Sequence, residues 1–240
     1  MSKIAVVTGG VRGIGRGISI GLKQAGYTVI ATYQSNDAFA QELHADFGID
    51  VLKFDVSDYT ACEMAVNTIK DRYGSVQILV NNAGITHDAT LHKMTVDQWQ
   101  AVLRTNLDSV SNMCRLVIDD MRTAEFGRIV NISSVNAQKG QAGQTNYCAS
   151  KAGVLGFTKA LALETSGKGV TVNAIAPGYI DTDMVRAIPE TILEKIISLI
   201  PMKRLGTVDE IAKMVQYLVS DEAGYITGST ISLNGGQYMA

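Results

Sequence analysis

The chain has 240 residues, 46% of them hydrophobic and 18% charged, with a formal net charge of −2. That length suits one α/β unit whose core needs no metal or disulfide staple. The balanced charge gives no basic footprint for nucleic acid, and no apolar run approaches the roughly 18 residues of a membrane span. Three cysteines (Cys62, Cys114 and Cys148) are scattered without a C-x-x-C pair, which reads as reduced thiols in a cytoplasmic protein. The opening "MSKIAVVTGG" lacks the apolar h-region and cleavage site of a leader.

Short apolar runs alternate with longer helix-period segments. Residues 3–8 read as a strand and 14–25 as a helix; 28–33 is a strand and 37–47 a helix. Residues 51–54 read as a strand and 59–73 as a helix, and 77–84 opens as a fourth strand. One long helix is expected over 96–121, a strand over 127–134, a helix over 146–165 and a strand over 170–177. Helical segments at 189–199 and 208–219 precede a last strand at 230–234. The alternation predicts right-handed βαβ crossovers and a mostly parallel seven-stranded sheet covered on both faces. With no linker, repeat or low-complexity stretch, 1–240 reads as a single doubly wound Rossmann domain.

"VVTGGVRGIGRG" follows the first strand and opens the first helix. Gly9, Gly13 and Gly15 stand as G-x3-G-x-G, which allows a sharp turn and close backbone approach to a pyrophosphate at a helix N-terminus. At the end of the second strand, an acid would favour a ribose 2′-hydroxyl. The stretch there is "TYQSND", with Tyr33 at the strand end and Asp37 late enough to start the next helix. Arg12 reads either as a solvated surface cation or as a fork for a 2′-phosphate. Together these features favour NADP(H) over NAD(H). Asp55, in "FDVSD", is either an acceptor for an adenine amino group or an idle residue beside a helix cap.

Tyr147 and Lys151, in "YCASK", share one helix face at a spacing of i and i+4. A nearby ammonium favours phenolate and lowers a tyrosine pKa, and a phenol so tuned can protonate a carbonyl oxygen. Asn106 falls on the apolar stripe of the long helix, where a polar side chain needs a bonded partner. His44, His87 and His92 have no metal-ligand spacing.

"TGGVRGIG", "NNAG" at 81–84, Asn106, Ser134, "YCASK", "PGYIDTDM" and "LNGG" occur in order over nearly the whole chain. Together they resemble the short-chain dehydrogenase/reductase family. The resemblance implies proton donation by Tyr147, a bond from Lys151 to the nicotinamide ribose, and a hold on the substrate carbonyl by Ser134, with Ser133 the rival. Asn106 either holds a relay water for Lys151 or braces a neighbouring strand. The cofactor set the resemblance implies is Gly9, Arg12, Gly13, Ile14 and Gly15 in the first turn, with Tyr33, Asp55 and Val56 beyond it. It continues through "NNAG" (Asn81, Asn82, Ala83 and Gly84), Tyr147 and Lys151. Pro177, Gly178, Ile180 and Thr182 complete it, and 183–201 is the expected substrate lid. The small residues near Tyr147, among them Gly153 and Gly156, imply pairing with a second copy in a homotetramer, or packing within the chain.

Within the family, "GRIVNISSVNAQKGQAGQTNY" and "IPMKRLG" are similar to acetoacetyl-CoA reductases, with 3-oxoacyl-(acyl-carrier-protein) reductases next. Gln141, Gln144 and Tyr179 are the candidate contacts for a CoA-borne acyl group. Glu125 stands in the turn before "GRI", where a carrier-protein enzyme would favour a cation, although Arg122 and Lys168 are near in sequence. A non-catalytic NADP-binding sensor is the remaining alternative.

Overall fold

The computed structural model describes residues 2–239. Seven strands form one sheet in the order β3-β2-β1-β4-β5-β6-β7. They are β1 (Ile4–Val7), β2 (Thr28–Tyr33), β3 (Asp50–Lys53), β4 (Ile78–Asn81), β5 (Gly127–Ile132), β6 (Val170–Pro177) and β7 (Thr230–Leu233). Every neighbouring pair is parallel, so the sheet is wholly rather than mostly parallel. The order reverses between β1 and β4, and the crevice beyond their carboxyl ends is where such sheets receive ligands.

Period-two alternation divides the core between the two faces. Ile4 and Val6 of β1 point into one cluster, with α3 (Tyr59–Tyr73), α5 (Ser109–Thr123) and α7 (Thr145–Thr165). Ala5 and Val7 point into the other, with α1 (Gly13–Gln24), α2 (Asp37–Phe47) and α10 (Val208–Val219). Ile18, Leu22, Val172 and Val215 are wholly buried. Burial on both faces is why the strands read as continuous apolar runs.

Three elements depart from the expectations. The long helix is interrupted: α4 (Val96–Leu103) passes through a π-helical turn (Arg104–Asp108) before α5 begins. A short α6 (Val135–Lys139) follows β5 because the Ser134 side chain accepts from the Asn136 amide and caps it. The segment beyond β6 holds α8 (Asp183–Arg186), while α9 (Glu190–Leu199) falls where a helix was expected and buries none of its side chains fully.

Candidate active site

The glycine turn is shaped by left-handed backbone at Gly9 and Gly13 and by close backbone contact at Gly15. Gly9 and Gly13 have φ of +61° and +50°, a region that costs other L-residues free energy. A Cβ on Gly15 would lie 2.1 Å from the Gly9 carbonyl oxygen and 2.5 Å from Asn82 Nδ2. Asn82 ties the turn to the end of β4 by donating to the Thr8 and Gly9 carbonyls at 2.9 and 3.1 Å. Thr8 Oγ1 accepts from the Asn82 and Ala83 amides at 2.9 and 3.0 Å. No side chain caps α1 and no acid sits in its first turn. Its leading N–H groups are therefore left for an anion, and this donor set fits a dinucleotide pyrophosphate.

The turn opens into a cleft of about 460 Å³ that runs across the carboxyl edge of the sheet. Gly9, Arg12, Gly13, Ile14 and Gly15 line one side, with Tyr33 and Val56 beyond them. Asn82, Ala83, Gly84, Pro177, Gly178 and Thr182 line the rest, together with Ser134, Tyr147 and Lys151. Arg12 makes no salt bridge among the described residues.

Three members of the expected cofactor set, Asn81, Asp55 and Ile180, stand outside this lining. The Asp55 carboxylate accepts from the Ser57 amide and hydroxyl, both at 2.8 Å, and from Gln34 Nε2 at 2.8 Å. It holds its own turn, which neither of the two sequence readings described. Ile180 is buried, held by an isolated bridge to Gly206, and borders a second cavity instead. Asn81, in "NNAG", points inward, where Nδ2 donates to Asn131 Oδ1 at 2.8 Å. Residue alternation along β4 explains this, since Asn81 and Asn82 face opposite ways.

At the other end of the cleft, α7 carries Tyr147 and Lys151 into one place, with Lys151 Nζ 6.0 Å from the centre of the Tyr147 ring. Lys151 is buried and donates to the Ile132 carbonyl at 2.8 Å. Burial with no carboxylate partner lowers its pKa to about 8. The Tyr147 pKa moves opposite to the sequence expectation: burial pushes it up, against a downward pull from the facing Ser134 hydroxyl. Burial disfavours the phenolate, and the cation meant to offset it is itself buried beside the ring.

Ser133 and Ser134 are separated by their bonding. The Ser133 hydroxyl is used up in donating to the Lys151 carbonyl at 2.8 Å, so Ser133 steadies the lysine's backbone. Ser134 Oγ accepts from the Asn136 amide at 3.1 Å and keeps its own hydrogen free to donate. Asn106 is fully buried in the π turn, where Oδ1 accepts from the Ile85 amide at 2.8 Å. Its Nδ2 donates to the Ile85 carbonyl at 3.0 Å and to Ser150 Oγ at 3.3 Å. Bracing of the strand-end segment therefore occupies its side chain.

Comparison with known proteins gives the lineage. Residues 9–237 match the family described as enoyl-(acyl carrier protein) reductase. An acetoacetyl-CoA reductase of Shinella zoogloeoides is 61% identical over 239 residues, covering 99% of both chains. That of Rhizobium meliloti is 58% identical over the whole of both chains. A 3-oxoacyl-(acyl-carrier-protein) reductase, FabG, of Pseudomonas aeruginosa is 46% identical, covering 99% of this chain and 98% of its own. The chain is a short-chain dehydrogenase/reductase.

The expected acyl contacts are dispersed in this short-chain dehydrogenase/reductase. Gln144 sits at the cap of α7, where Oε1 accepts from Asn136 at 2.9 Å and Nε2 donates to Asp88 Oδ2 at 2.8 Å. Gln141 is exposed and accepts from Lys139 at 3.2 Å. Neither lines the main cleft. Tyr179 borders a second cavity of about 270 Å³ with Met202 and Arg204, and its pKa is raised by burial and then by Asp88. Glu125 lies just before β5, at the opposite end of that strand from Ser134. Six residues of strand span roughly 20 Å, so its charge does not border this chain's own cleft. The sequence reading also missed Phe39, Phe54, Thr86 and Thr105, which line the cleft beside or between the motif residues. Thr8 was legible as the residue just before the glycines.

Proposed function

We propose that this reductase uses NADPH to convert a short 3-oxoacyl-CoA, acetoacetyl-CoA first, to the (R)-3-hydroxyacyl-CoA. The observation that carries the reading is the single cleft, with an anion-binding glycine turn at one end and Ser134, Tyr147 and Lys151 at the other. The CoA thioester is supported by relatives at 61, 58 and 54% identity that are named acetoacetyl-CoA reductase. NADPH is supported by the unpaired Arg12 and by the lack of an acid at the end of β2.

The chemistry supplied by the nicotinamide nucleotide, when bound, is hydride transfer to the carbonyl carbon. Ser134 donates its hydroxyl hydrogen to the substrate oxygen and orients it. Tyr147 holds its proton at neutral pH, as an ordinary phenol does, with burial pushing its pKa further up, and gives it up to the stronger base that develops on that oxygen. Lys151, its pKa lowered to about 8 by burial, then resupplies the phenol and hydrogen-bonds the cofactor ribose. Asn106 contributes by fixing the Ile85 backbone that edges the cleft. Residues 183–201 form the substrate lid, in which α9 buries no side chain fully. The enzyme works in the cytoplasm as a homotetramer.

A carrier-protein reductase is the second reading, favoured by relatives of that name at 46 and 45% identity. Turnover of acetoacetyl-CoA and of acetoacetyl-carrier protein, each with NADPH and NADH, separates the two. The CoA thioester with NADPH is expected to give the highest kcat/KM. A 100-fold preference for the carrier protein overturns the CoA assignment. Absence of turnover with either thioester, in protein that binds NADPH, leaves the sensor.

A further inference from the structure

The β2–α2 turn carries one acid, Asp37, at the first position of α2. The residues two positions away on either side, Ser35 and Phe39, line the cleft that Tyr33 and Arg12 also line. An uncompensated carboxylate here would repel a 2′-phosphate held by Arg12. The structure compensates it. Lys53, at the end of β3 and in register with Tyr33, donates to both Asp37 oxygens, at 2.9 and 3.0 Å. Its ammonium also stands 5.9 Å from the centre of the Tyr33 ring, so one cation contacts both the acid and the aromatic wall of the cleft. The pair is about half exposed and contributes little to stability, which leaves its local charge as its main consequence.

We infer that Lys53 is a specificity-determining positioning residue: by neutralising Asp37 and holding it off the cleft, it lets the β2–α2 turn accept the 2′-phosphate of NADP. The inference rests on the NADPH reading above and deepens it. Lys53 touches no reacting atom and acts through Asp37. In its absence Asp37 keeps the Tyr33 hydroxyl as its remaining partner and stands beside the cleft with its charge uncompensated, where it would repel a phosphate. The pair thus masks that charge.

Calorimetric titration of the purified protein with NADP+ and with NAD+ tests this without turnover. Lys53→Met is expected to shift the ratio of the two Kd values toward NAD+ by roughly 3- to 10-fold at low salt, and less at high salt, where exposed charges are screened. Lys53→Arg is expected to keep the ratio, and adding Asp37→Asn to Lys53→Met is expected to restore it. A ratio that Lys53→Met leaves unchanged, in protein whose wild type prefers NADP+, overturns the role of Lys53 and spares the cofactor reading. A double variant no better than Lys53→Met overturns the route through Asp37. A wild type that binds NAD+ more tightly overturns the cofactor reading itself.

Discussion

At the scale of single residues, Tyr147 and Lys151 were chosen by a spacing of four, and the structure does bring them together. Removal of the phenolic hydroxyl in Tyr147→Phe is expected to leave cofactor affinity intact and to lower kcat by at least about 100-fold. Retained kcat would assign the proton to another group. The electrostatics were not legible in the same motif. A helical spacing says two groups are near; it does not say how deeply both are buried, and burial decides the sign here. Lys151 has a folded-state pKa of about 8, below the roughly 10.4 of a free lysine. The unfolded chain therefore binds more protons between those values, so this group's contribution to stability is full above about 10.4 and is lost as pH falls through 8. Lys151→Met should accordingly unfold less readily than the wild type at pH 7, by on the order of 2 kcal/mol after the lost bond to Ile132 is counted. The gap should close as pH rises from 8 toward 10.4. Denaturant melts across that range check it, and a less stable variant at pH 7 would make the lysine a structural group rather than a destabilising one kept for its chemistry.

At the scale of elements, the βαβ alternation, both faces of the core and the glycine turn were all readable, because buried parallel strands and a turn next to backbone leave strong composition signals. The π turn was not. One extra residue in a helical repeat shifts the stripe without erasing it, and what holds the turn is the Asn106 amide on Ile85, a contact 21 residues away in sequence. Asn106 was visible as a polar residue on an apolar face, and the occupant of its hydrogen bonds was the missing half. The two ends of the glycine turn should also respond differently to one methyl group. In Gly15→Ala the Cβ meets the Gly9 backbone oxygen at 2.1 Å, and backbone cannot rotate aside. Overpacking of this kind costs roughly 1–3 kcal/mol, a fall of several degrees in Tm for a chain of this length. In Gly13→Ala the Cβ has only Thr182 Cγ2 within 4 Å, at 3.8 Å, so the cost is mainly the left-handed backbone, about 1–2 kcal/mol. Contact with backbone puts Gly15→Ala at the upper end of its range, so it should lower Tm in the absence of cofactor by more than Gly13→Ala, and equal melting shifts would mean that the turn relaxes where the structure shows it fixed.

At the scale of the whole molecule, the small residues of α7 divide into two sets with different explanations. Gly153 is accounted for inside the chain, since a Cβ there would press on Leu107 of the π turn at 2.9 Å. Gly156 has nothing within 4 Å of such a Cβ. It continues an exposed line of Ala149, Ala152 and Leu163 on the outer face of α7, where Leu163 is 84% exposed. Glycine inside a helix costs about 1 kcal/mol relative to alanine. Close approach of another surface would offset that cost, and the symmetric partner for a self-complementary face is a second copy of the same helix. Light scattering should then give a mass near four times the 25.7 kDa of one chain. Gly156→Arg places its side chain in open space within the chain, so a cooperative melt is expected to persist while the particle falls to dimers. A tetramer unaffected by that arginine would place the contact on another face, and a wild-type monomer would leave the exposed line on α7 unexplained by assembly.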